Sequence, residues 1–212
     1  MIKIGIKGLA KFMTSGAAAQ RKVLGDYKDP DPEGQAQAAY YREARSAVTK
    51  FHRDGRDVTW LEAEAAALLA GAQSAGKPQI ATRLKNNARA IECYARNFSG
   101  VQYEVLPAVN LALTFGTVQV TVNPDLHIRE NGKEKLLKLD FSDTEPEPDA
   151  IKIIAQAMFE AARADGLVLP SAQVLYVDVP RGVRHKAARL GARMHNNIEA
   201  ACQNIAAIWP TI

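Results

Sequence analysis

Residues 121–141, TVNPDLHIRENGKEKLLKLDF, read as a single β-hairpin. At the centre stands Asn131-Gly132. A two-residue type I′ turn needs φ > 0 at both central positions, which Asn and Gly tolerate best. With those two as the whole turn, Glu130 pairs with Lys133, His127 with Leu136, Asp125 with Lys138 and Asn123 with Asp140. Side chains alternate between the faces of a strand. One face therefore carries Asn123, Asp125, His127, Arg129, Glu134, Leu136, Lys138 and Asp140. The other carries Val122, Pro124, Leu126, Ile128, Lys135, Leu137, Leu139 and Phe141, is nearly all apolar, and packs. The polar face has two readings. It is the solvated side of an antiparallel sheet, with Asp125 and Lys138 a surface ion pair contributing roughly 0–1 kcal/mol. Or it is a site, because cross-strand neighbours about 5–8 Å apart bring two acids and a lysine close enough to hold a divalent metal and a polarised water.

Composition sets the outer bounds. A chain of 212 residues can bury a sizeable core without disulfide or metal staples. Its 47% apolar and 24% charged residues are the balance of an ordinary globular protein rather than a disordered one. No apolar run approaches the ~20 residues of a membrane span, and the scattered charge of MIKIGIKGLAKF reads against a secretory signal. Cys93 and Cys202 lack CxxC spacing, which argues against a disulfide framework or zinc site. The expected compartment is the cytoplasm, with no membrane partner. His52, His127, His185 and His195 fall on different elements without HxH or HxxxH spacing, and the P-loop, dinucleotide-binding and serine-hydrolase signatures are absent.

The net charge is only +4, but the cations are bunched. Lys3, Lys7, Lys11, Arg21, Lys22 and Lys28 face the single acid Asp26. Lys77, Arg83, Lys85, Arg89 and Arg96 face Glu92 alone, and Arg181, Arg184, Lys186, Arg189 and Arg193 face none. Acids gather instead in residues 142–149, SDTEPEPD. Such bunching suits a polyanionic partner, nucleic acid first, although charge runs also occur as plain solvated faces.

Residues 1–75 read as a helical N-terminal region. Alanine-rich segments end at the Asp29-Pro30-Asp31-Pro32 break, a second helix runs over 35–53, and a third over 60–72 begins at Thr59 as N-cap with Glu62 in capping-box position. Residues 76–212 read as a second region: helix 78–98, strand 101–114, hairpin strands 117–130 and 133–141, helix 148–165, strand 172–179 and a closing helix 184–208. The fold class is α+β.

That αβββαβα order, with Pro124-Asp125 on the second strand and Lys138 on the third, resembles the PD-(D/E)XK nuclease superfamily, which includes restriction endonucleases and RecB-type nucleases. The resemblance covers residues 77–212 and implies a restriction-endonuclease-like core with a central mixed sheet. In that family an aspartate and an acid-x-lysine pair hold Mg2+ and orient the attacking water, the metal lowering the water's pKa and neutralising charge on the scissile phosphate. Carried onto this chain, Asp125 and Asp140 are the implied metal ligands and Lys138 positions the nucleophile, with Glu104 and Gln156 in support. Leu136 stands where the family carries the second acid, and Asp140 follows Lys138 instead of preceding it.

The expectation is therefore a nucleic-acid-binding protein with a nuclease-like core and Mg2+-dependent phosphodiester cleavage. Arg184, Lys186, Arg189 and Arg193 are the expected nucleic-acid contacts, the last three at helical spacing on the side away from an apolar stripe. The alternative is a non-catalytic subunit or protein-binding module that uses a degenerate nuclease fold as a clamp or scaffold, its N-terminal helices free to meet a protein partner.

Overall fold

The computed structural model describes residues 1–29, 40–188 and 192–212. The hairpin forms as its turn chemistry requires. Asn131 and Gly132 adopt φ of 52° and 73°, and β5 (Leu126–Glu130) pairs with β6 (Lys133–Asp140) in the expected register, Glu130 with Lys133 through Leu126 with Leu137. Four strands precede it: β1 (Ile2–Gly5), β2 (Glu104–Val105), and the hairpin of β3 (Ala112–Phe115) with β4 (Val118–Thr121); β7 (Val174–Asp178) and β8 (Val183–Lys186) follow. Seven α-helices are seen among the described residues: α1 (Ile6–Thr14), α2 (Ala17–Lys28), α3 (Arg42–Arg53), α4 (Val58–Gln73), α5 (Pro78–Phe98), α6 (Pro148–Ala164) and α7 (Ala192–Ile208).

The strands form two mixed sheets, one in the order β1-β4-β3 and one in the order β2-β5-β6-β7-β8. In the smaller sheet β1 runs parallel to β4; in the larger, β6 and β7 are parallel and joined by α6, while its other pairings are antiparallel. The expected strands 101–114 and 117–130 are each divided between the two sheets. A proline lies at each division, Pro107 and Pro124, and a proline has no N–H to continue a ladder. At the second division the Asn123 side chain accepts from the Leu111 N–H at 2.9 Å, which prolongs the β3–β4 pairing by one bond where the backbone ladder stops.

Other boundaries also differ from expectation. The α4 cap is Asp57, not Thr59: the Asp57 carboxylate accepts from the Trp60 N–H at 3.0 Å and from the Thr59 hydroxyl at 2.7 Å, so the helix starts at Val58. Residues 183–186 are a strand against β7 rather than the start of the closing helix. The short β1, with no turn signal beside it, lies in a stretch that reads as helical.

Two hydrophobic clusters cover opposite faces of the larger sheet. One joins Leu9, Phe12, Leu24, Val120, Leu136, Met158, Tyr176 and Ile205; the other joins Phe51, Leu61, Tyr94, Ile128, Leu137 and Val177. Strand β7 is buried at all five positions, as expected of a strand covered on both faces. Each cluster draws on residues from both sides of the boundary expected near residue 75. No helix among the described residues is long and apolar enough to cross a membrane.

Candidate functional site

Arg129 apart, the polar face of the hairpin is partly or fully buried. Its chemistry collects where the parallel pair β6 and β7 ends, the side of a mixed or parallel sheet on which α/β folds place ligands. The register aligns Lys138 with Tyr176 and Asp140 with Asp178, so these four share the face that also carries Leu136 and Val174 toward α6.

Asp125 sits at the sheet junction. Its N–H donates to the Leu137 carbonyl at 2.8 Å, and its carboxylate accepts from the Leu139 N–H at 2.8 Å, standing in for a ladder carbonyl just before Pro124 interrupts the strand. The same carboxylate takes Lys138 Nζ at 3.3 Å and Arg45 Nε of α3 at 3.4 Å. Lys138 also donates to the Asn123 carbonyl at 2.9 Å. Burial lowers the Lys138 pKa, Asp125 opposes that, and the nearby charges of Lys7 and Arg45 add to the lowering.

Asp140 has a separate set of partners. Lys7 Nζ, from the first turn of α1, lies 2.9 Å from one oxygen, the Ser142 N–H donates to the same oxygen at 3.4 Å, and the Tyr176 hydroxyl donates to the other. Burial alone would raise the Asp140 carboxyl; Lys7, Tyr176 and Ser142 together outweigh it and hold it below its ordinary value. Burial and then the Asp140 charge raise the Tyr176 hydroxyl. Asp178 accepts from the backbone and the guanidinium of Arg181 at 3.1–3.2 Å.

This donor set does not fit a divalent cation. Each Asp125 and Asp140 carboxylate is already the acceptor for ammonium, guanidinium, hydroxyl or amide donors, and among the described residues no group of three or more His, Cys, Asp or Glu is placed to hold a metal. Mg2+ asks for near-octahedral oxygen donors with little competing positive charge. Here Lys7, Arg45 and Lys138 surround two carboxylates. The supporting residues stand apart. Glu104 is exposed and ion-paired to Arg129 at 2.7 Å. Gln156 is buried and donates to Glu160 at 3.2 Å, and Glu160 in turn holds His195 at 2.9 Å.

The expected nucleic-acid contacts are dispersed as well. Arg184 is drawn inward: its guanidinium bonds Glu130 at 3.0 Å and the Tyr103 hydroxyl at 2.6 Å, and lies over the Phe98 and Tyr103 rings. Lys186 ends β8, exposed. Arg189 lies outside the described residues. Arg193 is exposed in the first turn of α7. The shared helical face expected for the last three is absent, because Lys186 belongs to a strand.

A different cationic rim surrounds the strand ends. Along α5, Lys85, Arg89 and Arg96 are exposed at positions that share one side of a helix. Arg89 pairs with Asp143 at 2.9 Å, and Arg181 donates to the Asp143 carbonyl at 2.7 Å. Asn97, near the end of α5, donates to the Val179 carbonyl at 2.9 Å and so holds the segment before Arg181 against the helix. Lys7 and Arg45 complete the rim. Tyr41 stands among them, half-buried, its ring 5.6 Å from Phe141; burial raises its hydroxyl, with Tyr40, Asp143 and Asp140 adding and Arg89 opposing. A void of about 10 Å3 between Tyr41, Arg89, Phe141 and Pro180 has room for at most one water.

The alternation rule alone places Lys138 with Asp140 and Tyr176 with Asp178. The partners Lys7, Arg45 and Arg89 come from elements with no local signal tying them to the hairpin. No protein-family model matches this chain, and no curated protein matches it.

Proposed function

We propose that this chain binds nucleic acid through the cationic rim at the carboxyl ends of β6 and β7, as a nuclease-like fold without a divalent-metal centre. The antiparallel hairpin followed by a helix and a parallel strand supports the restriction-endonuclease-like part of this reading. The observation that carries it is the arrangement of charge. Lys7, Arg45, Arg89 and Arg181 lie at the strand ends with Tyr41 beside Arg89, Lys85 and Arg96 continue the exposed side of α5, and both carboxylates that a metal would need are bound by cations. Cations beside a half-buried aromatic ring suit a phosphodiester backbone whose bases can stack; the same place without free carboxylates does not suit Mg2+-dependent cleavage.

The test is a binding and cleavage assay on single- and double-stranded DNA and RNA, with Mg2+, with Mn2+ and with EDTA. Binding should weaken steeply with salt, persist in EDTA, and leave the nucleic acid intact. Arg89→Ala and Lys85→Ala should each cut affinity and reduce the salt slope by about one. A flat salt profile would remove the rim from any nucleic-acid interface. Metal-dependent cutting that disappears in Lys138→Ala would replace this reading with a catalytic one, Lys7 and Arg45 then swinging away from the carboxylates.

A further inference from the structure

We propose that the acidic segment between β6 and α6 is an internal competitor for the nucleic-acid backbone, its Asp143 occupying the rim in place of a phosphate. The inference rests on the proposed nucleic-acid function. Residues 142–149 read SDTEPEPD, with Asp143, Glu145, Glu147 and Asp149 all exposed. Only Asp143 touches the rim, and it does so twice: its carboxylate lies 2.9 Å from Arg89, and its carbonyl accepts from Arg181 at 2.7 Å. One residue thus presents two oxygens to two guanidinium groups, the pattern in which phosphate oxygens are held.

The segment's position does not depend on the Asp143 carboxylate. The Ser142 N–H donates to Asp140, the Thr144 N–H donates to the Ser142 hydroxyl at 3.2 Å, and Arg181 grips the backbone. Pro146 and Pro148 further restrict the chain. An anion fixed in this way competes intramolecularly, at high effective concentration. At the far end of the segment Asp149 is matched by Lys152 of α6 at 2.8 Å, which leaves Glu145 and Glu147 as exposed acids between the two pairs.

The experiment compares the full chain with Asp143→Asn, with the Asp143→Asn/Glu145→Gln/Glu147→Gln variant, and with Asp165→Asn. Asp165 closes the other end of α6, whose 17 residues span about 25 Å, more than two Debye lengths at 0.1 M salt. Affinity for a labelled oligonucleotide is read by fluorescence anisotropy across a salt series in EDTA. Asp143→Asn should bind about fivefold tighter, the effect of one contact charge in water, and the triple variant tighter still. Asp165→Asn should change affinity by less than about twofold. Wild-type failing to bind where Asp143→Asn binds would support the competitor outright. Binding by wild-type with an unchanged Asp143→Asn, or equal shifts in Asp143→Asn and Asp165→Asn, would overturn the competitor and leave the nucleic-acid reading standing. No binding by any of the four proteins would overturn both.

Discussion

Asp125 shows how burial changes the meaning of a residue. On a solvated hairpin its loss would cost little. In the fold it accepts a main-chain N–H where the ladder ends and faces a lysine whose side chain is only 16% exposed. Asp125→Ala should therefore destabilise the protein by about 3–5 kcal/mol, as for other broken buried pairs, and Asp125→Ala/Lys138→Met should recover part of that loss. Urea unfolding of the two variants checks this; a single variant as stable as wild-type would mean that the carboxylate is not structural. His52 poses a second question of burial. It is 5% exposed, its Nε2 lies 2.6 Å from the Tyr94 hydroxyl, and its Nδ1 has no partner. Burial, with the Arg184 charge adding, pushes its pKa down from 6.5 to about 4. The unfolded chain therefore binds this proton more readily than the folded one, so the stability contribution is complete above pH 6.5 and drains away as pH falls toward 4. At most it amounts to roughly 3 kcal/mol. His52→Phe should flatten the pH dependence of stability between pH 6.5 and 5, before most carboxylates titrate, and a slope as steep as wild-type would assign that window to other groups.

The elements legible in the sequence are those whose cause is local. The β5–β6 turn follows from Asn131-Gly132, the two-sided burial of β7 from its unbroken apolar run, and α5 and α6 from a proline at the first turn followed by helical periodicity. Because Gly132 holds φ at 73°, Gly132→Ala should cost about 1–2 kcal/mol; an unchanged melting temperature would show that the turn relaxes without it. Elements with non-local causes were not legible. β1 is a strand only because β4 offers it an edge, and β8 exists because β7 has an edge left to cover. Pro107 and Pro124 signal interruptions, yet nothing adjacent to them says that the chain crosses to another sheet. The candidate site divides along the same line. Cross-strand register placed Asp125 opposite Lys138. It could not reveal Lys7, Arg45 or Tyr176, which arrive from a helix, another helix and a strand that returns beside β6 only after α6. Residues 184–193 look like a basic amphipathic helix until Arg184 is seen bonded to Glu130 and Tyr103, an arrangement that ties β8 to β5 and to the segment before β2.

At the scale of the molecule, the two clusters bind the chain's regions together. One needs α1 and α2 beside α6 and α7; the other needs α3 and α4 beside β5 to β7. A fragment of residues 76–212 would expose an uncovered half of each core, and should unfold without a cooperative transition and bind a hydrophobic dye; a sharp, reversible melt would make the second region an autonomous domain. The same interleaving has a temporal side. Ile2 to Gly5 pair with Val118 to Thr121, so this strand has no partner until roughly a hundred further residues have been synthesised. At the usual ~5–20 residues per second of synthesis, β1 and the apolar side of α1 stay uncovered for on the order of ten seconds. During that interval they are open to chaperones, and a slowing of translation ahead of β4 would lengthen the exposure without altering a single contact of the finished fold.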